Sequence, residues 1–138
     1  MSLKITLKPG ERIIIDGAVV TNSDSTSNLI IENNVPILRQ KNIMSPHEAD
    51  SPCRRIYFVI QLMYVDAENL EKYHNIYWHL VRDLVEAAPS VLNRIDQISE
   101  LILNEEYYPA LKLARKLIEY EQEAINSVPE CSCRVSGG

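Results

Sequence analysis

The chain is predicted to adopt an α+β fold: a small antiparallel β unit of about five strands followed by three or four helices. Three observations predict it. Near the N-terminus Leu3, Ile5 and Leu7 alternate with Lys4, Thr6 and Lys8, which is the period of a strand. Two turn pairs, Pro9-Gly10 and Asp16-Gly17, then punctuate β-branched runs. Beyond residue 50 the apolar spacing changes to three and four residues, the period of an amphipathic helix.

The elements follow in order. The first strand ends at Pro9-Gly10, where Pro fixes φ and Gly accepts the left-handed region. Residues 12–15 (RIII) make the second strand, and Asp16-Gly17 is a strong two-residue hairpin signal. Residues 18–21 (AVVT) make the third. The polar run 22–27 reads as a loop. Residues 28–32 (NLIIE) make a fourth strand, and Asn33-Asn34 can turn. Residues 35–39 (VPILR) make a fifth. Pro36 cannot donate to a ladder, so this strand lies at an edge or is bulged. The second strand is apolar on both faces, since Ile14 points opposite to Ile13 and Ile15. Either helices or a second copy of the chain must cover its other face.

Residues 45–52 (SPHEADSP) form a connector. Its last pair, Ser51-Pro52, is a helix start with Ser at the cap and Pro at the first position. Residues 55–65 (RIYFVIQLMYV) are apolar nearly all round. Periodicity leaves helix or strand open here, and the start signal favours a helix. Asp66 is expected to cap the next helix, which carries Leu70, Tyr73, Tyr77, Leu80 and Leu84 on one face and stops before Pro89. Val91, Leu92, Ile95, Ile98, Leu101 and Ile102 mark another helix. Leu111, Ala114, Leu117, Ile118 and Ile125 mark the last, with Pro109 in its first turn or at a kinked junction. The division expected is a β unit at 1–44, a connector at 45–52, a helical region at 53–126 and a disordered tail at 127–138.

Composition narrows the function. The chain has 138 residues, 46% hydrophobic and 24% charged, which suits one globular domain and excludes a wholly disordered chain. The net charge of −5 excludes a uniformly basic nucleic-acid binder and leaves room for a local basic patch. No run is long and apolar enough for a membrane span, and no export signal opens the chain, so a cytoplasmic protein is expected. Cys53, Cys131 and Cys133 read as reduced thiols. One C-x-C pair cannot complete a four-ligand zinc site, so neither metal nor cofactor is expected.

Catalytic chemistry is not expected either. His74 and His79 are five apart on a helix and do not converge. Glu119 and Glu123 are i,i+4 neighbours of a solvated face. No phosphate-binding loop, dinucleotide fingerprint or HExxH is present. Two groups of residues remain as binding candidates. Lys8, Arg12, Arg39, Lys41, Arg54 and Arg55 cluster near strand ends and at the first helix start. They could form a phosphate-binding edge, or they could be ordinary edge-strand charge. All seven tyrosines lie beyond residue 50, in the helical part of the chain. Tyr73, Tyr77, Tyr107 and Tyr108 could form a protein-binding face, or pack semi-buried between helices.

Four blocks carry a resemblance: LKPGERIIIDGAVV at 7–20, VPILRQKNIM at 35–44, RRIYFVIQLMYVD at 54–66 and EYYPALKLARKLIEYE at 106–121. In this order they resemble the FlbT family of flagellar regulators, over roughly residues 3–125. Pro109 departs from the pattern. The resemblance implies a cytoplasmic, non-enzymatic regulator of flagellin synthesis that binds the 5′ untranslated region of flagellin messenger RNA. It also implies a partnership with a FlaF-type flagellar protein. A weaker similarity links KPGERIIIDG and VPILRQKNI to the carbon storage regulator family, whose interwoven β dimers bind RNA along strand edges. That similarity implies a homodimer through the β unit and an RNA contact near Arg39, although the spacing to Ile43 is one residue longer. Two functions are therefore expected as alternatives: direct recognition of the flagellin leader, or a protein-interaction adaptor that binds flagellin, a FlaF-type protein or a translation factor.

Overall fold

The computed structural model describes residues 2–127. Cys131, Cys133 and the expected disordered tail beyond residue 127 lie outside the described residues. Five strands come first: β1 (Leu3–Leu7), β2 (Arg12–Ile15), β3 (Ala18–Thr21), β4 (Ser27–Ile31) and β5 (Ile37–Arg39). Four helices follow: α1 (Pro52–Val65), α2 (Leu70–Ala87), α3 (Leu92–Leu103) and α4 (Tyr107–Ser127). The α+β prediction holds, and the ambiguous run at 55–65 is helical.

The strands do not pair as a simple meander. β2 and β3 form the hairpin that Asp16-Gly17 predicts, with both turn residues at positive φ (50° and 86°), as its tight turn requires. β5 then pairs with the other side of β2, giving the order β3-β2-β5. β1 instead reaches past this hairpin to pair with β4, Leu3 opposite Ile31 and Leu7 opposite Ser27. Asn22 stabilises the crossing, because its side-chain amide donates to the carbonyls of Lys8 and Ser25 at 2.8 Å each. The fifth strand is shorter than expected. Pro36 falls outside the ladder, and its carbonyl accepts the Asp16 N–H at 2.8 Å.

This topology explains the doubly apolar strand. Ile13 packs with Ile5 and Leu7 beneath the β1-β4 pair. Ile14 and Leu38 face the other way, into the core shared with the helices. Both faces of β2 are covered by its own chain, so its pattern does not require a second copy.

α1 is the central helix and packs on both α2 and α4. It begins as its sequence predicts, with the Ser51 hydroxyl accepting the Arg54 N–H at 3.2 Å and Pro52 at the first position. One face carries Tyr57, Gln61 and Tyr64 at helical spacing, and each holds main chain of β5 or of the segment that follows it. The Tyr57 hydroxyl donates to the Asn42 carbonyl at 2.6 Å. Gln61 bonds both main-chain groups of Met44. The Tyr64 hydroxyl accepts the Ile37 N–H at 3.0 Å and donates to its carbonyl at 3.2 Å.

Asp66 behaves differently from its expected role. A short 3-10 turn at Ala67–Asn69 intervenes before α2, and the Asp66 carboxylate takes the Tyr73 hydroxyl at 2.6 Å and the Asn69 amide at 2.9 Å. Side chains have captured it, so it does not cap α2. Pro89 ends α2 as predicted, and Pro109 sits in the first turn of α4.

Candidate nucleic-acid interface

The β1–β2 turn and the end of β5 build the first part of the site. Gly10 takes φ 73° in the Pro9-Gly10 turn, and the Glu11 N–H returns to the Lys8 carbonyl at 3.1 Å. Glu11 is thereby aimed at β5. Its carboxylate accepts the Lys8 N–H at 2.8 Å and the Arg39 guanidinium at 3.1 Å. These two bonds, the first above all, hold the Glu11 carboxyl below its ordinary range. Arg39 shares the face of Ile13 that looks toward the β1-β4 pair, and its Nη2 also donates to the Thr6 carbonyl at 2.9 Å. Its Nε is buried without a partner among the described residues. The predicted contact residue is thus largely committed to joining β5 to β1.

Lys8, Arg39 and Lys41 line one groove of about 720 Å³. Lys41 also lines two neighbouring hollows. One, of about 410 Å³, carries Arg54, His47 and Arg115, and its Arg54 is bonded to Asp50 at 3.0 Å. The other, of about 340 Å³, opens against α4 and carries Lys112, Arg115 and Lys116. Lys41 therefore joins three concavities into one basic band.

The structure brings together Lys8, Arg39, Lys41 and Arg54 among the six predicted basic residues. Arg12 and Arg55 are exposed but line none of these concavities. The α4 cations were not among the predicted residues. Their i, i+3, i+4 spacing is the one signal that could have found them, and it resembles any solvated helix face.

The predicted tyrosine face does not assemble. Tyr77 is fully buried, bonded to the Ser99 hydroxyl at 2.8 Å, and burial pushes its phenol up to about 12. Tyr73 is buried with its hydroxyl on Asp66. Tyr107 is half-buried, its hydroxyl 3.1 Å from His74 Nε2, and joins α4 to α2. Tyr108 alone of the four is exposed, and it borders the basic band.

No group of three or more His, Cys, Asp or Glu side chains among the described residues is placed to hold a metal ion. No helix among them is long and apolar enough to cross a membrane.

Fold and surface together define a small α+β protein whose distinguishing feature is a band of cations across the β unit and the last helix. The chain belongs to the FlbT family: the family described as flagellar protein FlbT matches residues 3–125. It is 46% identical over 124 residues to "Probable flagellum biosynthesis repressor protein FlbT 1" of Bradyrhizobium diazoefficiens, covering 89% of this chain and 84% of that one. It is 40% identical over 140 residues to "Flagellum biosynthesis repressor protein FlbT" of Caulobacter vibrioides, covering 100% and 97%. A relative of the same name in Rhodopseudomonas palustris, marked probable, is 38% identical over 126 residues, covering 91% and 99%. None of these names describes an enzyme. No solved structure matches.

Proposed function

We propose that this chain regulates flagellum synthesis after transcription by binding the 5′ leader of flagellin messenger RNA along the basic band. The regulatory role follows from the names its relatives carry. The observation that carries the RNA contact is the convergence at Lys41 of cations from the β1–β2 turn, β5, α1 and α4, on a protein whose net charge is −5. An acidic chain repels phosphate except where cations are gathered, so such a gathering supports an anionic partner. Unpaired segments of the leader are the natural target, because their bases are open to side chains while the major groove of duplex RNA is not.

The test is titration of purified protein into labelled flagellin leader at two salt concentrations, with a scrambled RNA as control. Binding should be specific and weaken with salt by roughly one log–log slope unit per phosphate contact. A folded protein that fails to bind the leader overturns this reading. It would turn attention to the adaptor alternative, with flagellin, a FlaF-type protein or a translation factor as the partner to seek.

A further inference from the structure

We propose that the hollow between Lys41 and α4 is a base-binding subsite: one unpaired base stacks on Tyr108, and Lys41, Lys112 and Lys116 hold the flanking phosphates. This deepens the RNA-binding reading above and rests on it.

Four observations support the assignment. The hollow measures about 340 Å³, with Leu38 and Leu111 in its lining. That is the low end of the size range for pockets that enclose small molecules. It suits one ring system and excludes a duplex. Next, four cations line it, Lys41, Lys112, Arg115 and Lys116, against the single carboxylate of Glu119. None of the three lysines forms an ion pair among the described residues. They remain available for phosphate.

Tyr108 is the third observation. The residue is 38% exposed, yet its ring is positioned by Tyr64, 5.7 Å away between centroids, and by the Lys112 ammonium 5.0 Å from its centroid. The ammonium lies over one face of the ring, so the surface left open on Tyr108 is where a base would stack. Stacking is the sequence-tolerant part of single-strand recognition, because every base offers a flat face. The fourth is Arg115. It is occupied, donating to the Tyr57 hydroxyl at 3.2 Å with its guanidinium 5.1 Å from that ring. Tyr57 is itself fixed on Asn42. Arg115 therefore builds the wall of the hollow, and Tyr57 is too buried to stack. Tyr108, Lys112 and Lys116 follow at i, i+4 and i+8, one stripe about 12 Å long on α4.

The experiment measures affinity for labelled flagellin leader and its salt slope for wild type, Tyr108→Ala, Tyr108→Phe and the double variant Lys112→Gln/Lys116→Gln. Tyr108→Ala should weaken binding about tenfold, and Tyr108→Phe should keep most of it, since the ring and not the hydroxyl stacks. The double lysine variant should bind more weakly and lower the salt slope by about two. Ultraviolet crosslinking should place the RNA on the α4 peptide that carries Tyr108. Melting curves accompany each variant. The lysines are exposed, so the double variant decides the matter even if loss of the Tyr64 contact lowers the stability of Tyr108→Ala.

Two results overturn the proposal in distinguishable ways. If wild type does not bind the leader, the RNA reading itself fails. If wild type binds and both the tyrosine and lysine variants bind equally well, RNA recognition stands and the hollow is not part of it. Its cations would then suit an acidic protein segment.

Discussion

Gln61 holds Met44 as a neighbouring strand would: its amide nitrogen donates to the Met44 carbonyl at 3.0 Å, and its amide oxygen accepts the Met44 N–H at 2.7 Å. Gln61 is the one buried polar side chain in the core of the described residues. It lies amid an otherwise apolar helix face, so replacing it leaves a donor and an acceptor of the main chain without partners. Gln61→Leu should therefore cost about 2–4 kcal/mol, more than its gain in apolar surface returns. Urea unfolding of the variant measures this. A loss under about 1 kcal/mol would mean water replaces the amide freely.

The two glycines of the β unit make a matched pair. Both occupy positive φ, 73° at Gly10 and 86° at Gly17. A Cβ at Gly10 would meet nothing within 4 Å, whereas one at Gly17 would lie 2.9 Å from the Val65 carbonyl oxygen at the end of α1. Gly10→Ala should cost about 1 kcal/mol from backbone conformation alone. Gly17→Ala should cost clearly more, about 2 kcal/mol or above, because the turn must also move away from the helix. Equal losses would show that the turn and α1 separate easily.

Arg39→Ala should weaken RNA binding and also lower the unfolding midpoint. The side chain lies in the band and at the same time bonds Thr6 and Glu11. A fold as stable as wild type would show that those bonds are replaced by solvent. Comparing RNA affinity at a temperature where both proteins are fully folded separates the two effects.

Acid should destabilise the fold in a way that depends on Tyr73. The Tyr73 hydroxyl, and then the Asn69 amide, hold the Asp66 carboxyl below its ordinary range. A carboxyl depressed in the folded state contributes stability that is present above its unfolded pKa and lost as pH falls through its folded pKa. Tyr73→Phe removes the larger cause, so its stability should decline less steeply below the ordinary carboxylate range. Unfolding midpoints from neutral pH down to the acid limb test this, and parallel curves for the two proteins would refute it.

Cys53 should be inert in the folded protein. Burial, reinforced by the nearby Glu121 carboxylate, pushes its thiol up to about 12, and the reactive thiolate is then scarce at neutral pH. In a variant with Cys131→Ser and Cys133→Ser, a thiol reagent should label Cys53 only as the chain unfolds. Rapid labelling under native conditions would count against this burial.

Much of the fold was legible because its signals are local. The Asp16-Gly17 turn, the Ser51-Pro52 start and the three- and four-residue spacing of α2 and α3 each act within a few residues. What was not legible depends on distant partners. Nothing near Leu3 announces that its strand will skip β2 and pair with Ile31. Asp66 has a capping residue's sequence position but meets Tyr73 first. The same holds for the site. Lys112 and Lys116 look like any solvated helix face until the segment carrying Lys41 docks against α4. Tyr73 and Tyr77 look available for binding until α1 and α3 bury them.

The crossed pairing of β1 with β4 has a consequence in time. Leu3–Leu7 can find Ser27–Ile31 only by closing the long loop between them, and a long loop closes against a larger entropy than a short one. The β2-β3 hairpin needs only a two-residue turn, and hairpins form within microseconds. Once formed, it gathers the intervening chain and brings the two outer strands within reach. The hairpin thus acts as the spool on which the outer pair is wound. Gly17→Ala should accordingly slow refolding in stopped-flow measurements, while Leu3→Ala, at the outer end of the late pair opposite Ile31, should mainly speed unfolding.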